Sequence, residues 1–219
     1  ATPAASHDLI TTAQAKTELG VSRPSEDALI GGLVSQASAM ITGWRAKFDQ
    51  GNFPFYWVQL ANYKNPTETN WAFLREAQTK TLALPATGQA IIIDIGDVSD
   101  IHPRNKKDVG RRLARLALTR DYGFQIIDSG PVFEKAERDG AGFRVTFKTE
   151  GNLRAPLNEL GGFELAREDK VFKAANAKIE GKTVVVTSTE ITEPVAVRYA
   201  WRDAPLAGLF NDEGLPAVP

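Results

Sequence analysis

FPFYWVQLA (residues 53–61), TNWAFLREAQTKTLAL (69–84), AIIIDIGD (90–97) and KKDVGRRLARLALTRDYG (106–123) succeed one another in mid-chain and decide the fold. The first and third are continuous apolar runs rich in β-branched and aromatic residues, bounded by Gly, Asn, Pro and Lys. Such runs read as strands buried on both faces. The second places Trp71, Leu74, Gln78 and Leu82 on one helical face. The fourth is a basic amphipathic helix stopped by Gly123. Strand, helix, strand, helix at this spacing predicts an α/β unit with a parallel sheet and crossover helices.

Outward from this unit the texture changes twice. Upstream, TTAQAKTELG (11–20) and the SRPSED start signal (22–27) predict two helices, so residues 8–44 read as a helical hairpin. Its apolar stripe is Ile30, Leu33, Val34, Ala37, Ile41 and Trp44. Downstream, GFRVTFKT (142–149), GFELARED (162–169), KTVVVTST (182–189) and PVAVRYAW (194–201) are short strands separated by turn residues, which predicts an antiparallel β unit. The expected organisation is a helical segment 1–43, an α/β part 44–128 and a β-rich part 129–219. The connection at Asp128–Pro131 is too short for free movement, so the last two parts are expected to share a core.

Composition narrows the chemistry. The chain has 219 residues, with 26 Lys+Arg against 27 Asp+Glu and a net charge of −1. A protein that follows phosphate backbones needs a basic excess, so no nucleic-acid partner is expected. No apolar run approaches the roughly 20 residues that a membrane-spanning helix needs. Cysteine is absent, which removes disulfides, thiol nucleophiles and thiolate metal sites together. The two histidines are His7 and His102, and one histidine among scattered carboxylates is too little for a zinc site. No cofactor is expected either. His7 lies in a Pro/Ala/Ser-rich stretch that reads as solvated.

The chemistry concentrates in IIIDIGDVSDIHPRNKKDVG (91–110). Asp94, Asp97, Asp100 and His102 fall where the second parallel strand ends. Open α/β sheets bind ligands at that edge. A histidine oriented by an aspartate there is the base half of a hydrolytic triad: the carboxylate fixes the tautomer and stabilises the imidazolium formed as a serine loses its proton.

The stretches W-R-x-x-F-x-Q-G-x-F-P-F (44–55), Y-W-V-Q-L-A (56–61), W-A-F-L-R-E-A-Q (71–78), I-D-I-G-D…D-I-H-P-R-N-K (93–106), V-G-R-R-L-A (109–114), V-R-Y-A-W (197–201) and N-D-E-G-L-P-A (211–217) resemble the C-terminal part of the sialate O-acetylesterases. These are sugar esterases of the SGNH-hydrolase type. The resemblance runs from about residue 43 to the end. It implies a partial doubly wound parallel sheet, hydrolysis of O-acetyl esters of sialic acid or a related sugar, and a periplasmic or secreted setting. It also implies that His102 is the catalytic histidine, with Asp97 the first choice for its acid partner and Asp100 the second. Neither the family's G-Q-S-N nucleophile block nor its W-Y-Q-G-E-S-N block is found, and none of the eight serines has a Gly-x-Ser-Asn setting.

A serine must therefore come from elsewhere, and the chain is expected to be inactive alone. Residues 8–44 resemble the start of phage head–tail connector proteins, which implies a fusion joined near 42–44. The competing reading is a non-catalytic module, glycan-binding through Trp57, Trp71 and Trp201 or assembly-forming like a connector. In either case a homodimer or a complementing chain is the expected partner.

Overall fold

The computed structural model describes residues 24–64, 71–156 and 160–219. The helix expected at 11–20, and His7, lie outside them. Helix α1 (Pro24–Phe48) begins where Pro24 presets the first turn. Its inward face is Asp27, Ile30, Ile41 and Arg45, with Leu33, Val34 and Ala37 half-buried. Trp44, expected inside, is 52% exposed. Arg45 takes the inward position because its guanidinium satisfies three carbonyls, those of Phe53 (2.8 Å), Pro85 (2.9 Å) and Ala86 (3.2 Å).

Strand β1 (Phe55–Val58) pairs in parallel with β2 (Thr87–Ala90), Phe55 opposite Thr87 and Val58 opposite Ala90. Between them run α2 (Trp71–Lys80) and a short 3-10 turn, Thr81–Ala83. Helix α3 (Lys106–Arg120) follows, capped by Asn105, whose side chain accepts from the Asp108 amide at 3.1 Å. The second strand thus starts three residues earlier than its apolar run suggested. Ile91–Ile93 continue it as buried irregular chain, and Ile91 and Ile93 pack against the β-rich part.

The buried face of α2 is Ala72, Arg75, Glu76 and Ala77, whereas Leu82 is exposed. Arg75 has the most partners on that face. Its Nε donates to Leu60 O (2.9 Å), Nη1 to Arg202 O (2.6 Å), and Nη2 to Ala61 O (2.8 Å) and Asp203 O (2.6 Å). The guanidinium ties the chain just past β1 to a loop of the β-rich part that lies 127 residues beyond Arg75 itself. Burial pushes its pKa down to about 10, so it stays charged at neutral pH.

The β-rich part is antiparallel throughout. A four-stranded sheet has the order β3 (Val132–Asp139), β4 (Gly142–Lys148), β9 (Thr183–Thr187), β8 (Asn176–Glu180). Two tight turns close its hairpins, at Gly140 (φ 57°) and Gly181 (φ 63°), left-handed positions that glycine adopts at least cost. A second sheet orders β10 (Ala196–Tyr199), β6 (Phe163–Ala166) and β7 (Lys173–Ala174), and β5 (Leu153–Arg154) pairs with β11 (Phe210–Asn211). Strands β3 and β8 escape a hydrophobicity reading because they are largely exposed and charged.

One apolar cluster joins Ile91 and Ile93 to Phe143, Phe147, Phe163, Leu165, Val184, Val186 and Leu209. The last segment is sewn back over the 128–131 connection: Asn211 Nδ2 donates to Ser129 O (3.0 Å) and the Val218 amide to Pro131 O (2.9 Å). Tyr199 lies in the same core. Its hydroxyl accepts from the amides of Gly208 (3.1 Å) and Leu209 (3.0 Å), and burial raises its pKa to about 12.

Candidate active site

The chain leaves β2 through Ile91–Ile93 and reaches Asp94. Arg112 of α3 grips this carboxylate in a two-pronged ion pair, both contacts 2.6 Å, and also donates to Ile91 O at 2.7 Å. Both side chains are nearly buried. Asp94 is thereby committed to anchoring α3. A bidentate guanidinium–carboxylate pair fixes direction as well as distance, so the next turn starts from a defined position.

Gly96 is the next constraint. A Cβ there would lie 2.0 Å from Asn62 Oδ1 and 2.7 Å from Asn62 O, so only glycine lets the turn sit against the end of β1. The Lys64 amide then donates to Val98 O at 2.9 Å. The loops that follow the two parallel strands are joined at this point. Sequence reading missed Asn62, Lys64 and Arg112 as supports of the site, since nothing in their spacing marks such contacts.

The carboxylates Asp97 and Asp100 are divided between two jobs. Asp97 Oδ1 accepts from both the amide (2.9 Å) and the hydroxyl (2.7 Å) of Ser99. Asp100 Oδ1 accepts from the His102 amide at 2.9 Å, and His102 Nδ1 lies 3.3 Å away. The histidine's carboxylate contact is thus Asp100, the second of the two candidates, while Asp97 shapes the turn. Both acids are held below the ordinary value of 3.8. For Asp97 the main cause is the Ser99 hydroxyl and then its amide; for Asp100 it is the His102 amide and then the imidazole. Both carboxyls are expected to titrate below 3.8 in a carbon-detected NMR titration. A midpoint at or above 3.8 for Asp100 contradicts the His102 contact.

The His102 side chain is 84% exposed and that of Asp100 43% exposed. With Nδ1 turned to the carboxylate, Nε2 faces outward and can take a proton from a hydroxyl brought to it. Among the described residues no serine hydroxyl bonds to His102, and that of Ser99 is spent on Asp97. No described group of three or more acids or histidines is placed to hold a metal ion. No described helix is long and apolar enough to cross a membrane.

Trp57, Trp71 and Trp201 are half-buried, each beside a protein neighbour. Trp57 Nε1 donates to Gln89 Oε1 at 3.0 Å, Trp71 lies 5.5 Å from Tyr63, and Trp201 meets Phe73 edge-on at 5.3 Å.

Comparison with solved structures gives a clear likeness. The chain superposes on the crystal structure of XAC1771, described as a novel carbohydrate acetylesterase from Xanthomonas citri, with a TM-score of 0.81 and 45% sequence identity. The match covers 86% of this chain and 45% of that protein, so the chain spans less than half the length of its relative. No protein-family model matches the sequence, and no curated protein matches it.

Proposed function

We propose that the chain is the acid–base half of a carbohydrate O-acetylesterase. It acts on O-acetylated sialic acid or a related sugar, within a doubly wound sheet of the SGNH-hydrolase type. The observation that carries this reading is the Asp100–His102 contact in the loop that follows β2. It occurs in a chain 45% identical to part of a carbohydrate acetylesterase. A histidine held by a carboxylate and open on its other nitrogen is what acyl transfer asks of a general base.

The reaction is hydrolysis, and the serine comes from a segment outside this chain. His102 Nε2 removes the serine proton as Oγ attacks the acetyl carbonyl, and Asp100 steadies the imidazolium through Nδ1. The C–O bond to the sugar breaks as His102 returns that proton to the sugar oxygen. Water then attacks the acetyl-serine, with His102 again the base, and releases acetate and free enzyme. Asp97 stays the alternative acid partner, at one remove through the Ser99 turn.

The test is hydrolysis of 9-O-acetylated sialic acid and of 4-nitrophenyl acetate. It compares the chain alone with the chain co-expressed with the part of XAC1771 it does not cover. The expected result is no turnover above background alone and clear turnover in the co-expressed sample. Turnover by the chain alone, or by neither sample, sinks the reading. Preference for an acetylated neutral sugar over sialic acid corrects the substrate alone.

A further inference from the structure

The side chain of Asn62 is committed to nothing in the fold, and it stands beside the His102 loop. Val58 and Ala90 face each other as the last residues of β1 and β2. Asn62 lies four residues beyond the first and Asp94 four beyond the second, so the two loops leave the same end of the sheet together. They also touch. The Lys64 amide donates to Val98 O at 2.9 Å, and a Cβ on Gly96 would lie 2.0 Å from Asn62 Oδ1.

Asn62 Oδ1 is buried and accepts from no described residue, and Nδ2 donates to none. The other side-chain amides near by are used. Gln78 Oε1 takes the Leu60 amide at 3.0 Å, and Gln89 is held at both ends, by Trp57 and Thr79. Gln59 Oε1 is unpartnered too, yet its Nε2 bonds Arg75 O at 3.2 Å and Thr79 Oγ1 at 3.0 Å. A buried amide oxygen without a donor costs folding free energy, which an apolar side chain of the same shape would avoid. Such a group calls for an explanation other than packing, and function is the usual one beside a reaction centre. Gly96 sets its direction. Oδ1 seats against the turn where a Cβ is missing, and the planar amide then carries Nδ2 on its other arm, away from Gly96.

We propose that Asn62 is a specificity-determining residue of the esterase site, its Nδ2 donating to a hydroxyl oxygen of the sugar that bears the acetyl group. This rests on the esterase reading above. Open α/β sheets bind their ligands outside the strand ends, and Asn62 occupies that position on the strand next to the one that leads to His102. His102 serves the serine proton and the ester oxygen. The sugar, bonded to that oxygen, is the part of the substrate that extends across the neighbouring strand end.

Asn62→Leu keeps the shape of the side chain and removes the donor. In the complex co-expressed with the uncovered part of XAC1771, kcat/KM for 9-O-acetylated sialic acid should fall at least about tenfold relative to that for 4-nitrophenyl acetate, which offers no sugar hydroxyl. The melting temperature of the variant chain should hold or rise, because an unpartnered buried oxygen is gone. In the unsubstituted complex, sialic acid should shift the Asn62 side-chain amide in a proton–nitrogen correlation spectrum.

An equal fall on both esters overturns the proposal, since Asn62 then serves the acetyl group or the fold. A lower melting temperature with the preference between esters intact overturns it too, as does an Asn62 amide that ignores the sugar. If the complex hydrolyses neither ester while sialic acid still shifts that amide, the esterase reading falls and the sugar contact stands. Hydrolysis of both esters with no effect of Asn62→Leu does the reverse.

Discussion

Replacing Arg75 with alanine is expected to cost the protein roughly 4 kcal/mol of stability, a large share of the 5–15 kcal/mol typical of a domain. The side chain is 1% exposed and donates to four backbone carbonyls, two just past β1 and two in the loop at 202–203. Truncation leaves those carbonyls buried and unpaired, and each such group costs about 1–3 kcal/mol unless water reaches it. It also releases the loop at 202–203 from the end of β1. A fall in melting temperature of about 10 °C follows for a chain of this size. Arg75→Lys should recover less than half of the loss, because an ammonium is a point charge and cannot span a four-carbonyl fork. Urea denaturation of the two variants measures this. A loss below about 1 kcal/mol for alanine means that the guanidinium is an ornament of the packing and no clamp.

How much of this was legible beforehand depends on what signal each feature leaves. Strand β1 announced itself through the apolar run FPFYWVQLA, although its four residues are half-buried rather than covered on both faces, whereas β2 is the polar stretch Thr87–Ala90 just before the apolar run that pointed to it. The strand ends were not legible: Ile91–Ile93 look like strand by composition, yet they are irregular chain, and Ile91 and Ile93 join the core with Phe143 and Leu165. Helix α1 was legible as a helix but its inward face was misjudged at Trp44. Hydrophobicity ranks tryptophan above arginine, whereas three carbonyls left bare by the turns at 53 and 85–86 selected Arg45. Arg75 hid for the same reason. Within the candidate site, His102, Asp97 and Asp100 drew attention because chemistry-bearing residues crowd one stretch of chain after the second strand. The pairing was decided by the turn, in which the Ser99 amide and hydroxyl occupy Asp97 and leave Asp100 for the histidine. Spacing alone cannot make that distinction.

In the complex with the segment that supplies the serine, His102→Ala is expected to lower kcat by about 10⁴-fold or more, with KM little changed. The imidazole acts only while protons move, so its loss falls on the transition state rather than on sugar binding. Asp100→Asn should cost about 10²- to 10⁴-fold, since it frees the imidazole to adopt the wrong tautomer. Asp97→Asn, acting only through the Ser99 turn, should cost less than Asp100→Asn. If Asp97→Asn is the more damaging of the two, the acid partner is Asp97, and the His102–Asp100 contact is a feature of the turn.

The central claim is that His102 activates a serine that this chain does not contain. A fluorophosphonate that labels activated serines, with the labelled peptide identified by mass spectrometry, puts it to the most direct test. The account predicts label on one serine of the added segment, only in the complex, and lost in His102→Ala. Label on Ser99 or any other serine of this chain, or label on the added segment that persists without His102, contradicts it.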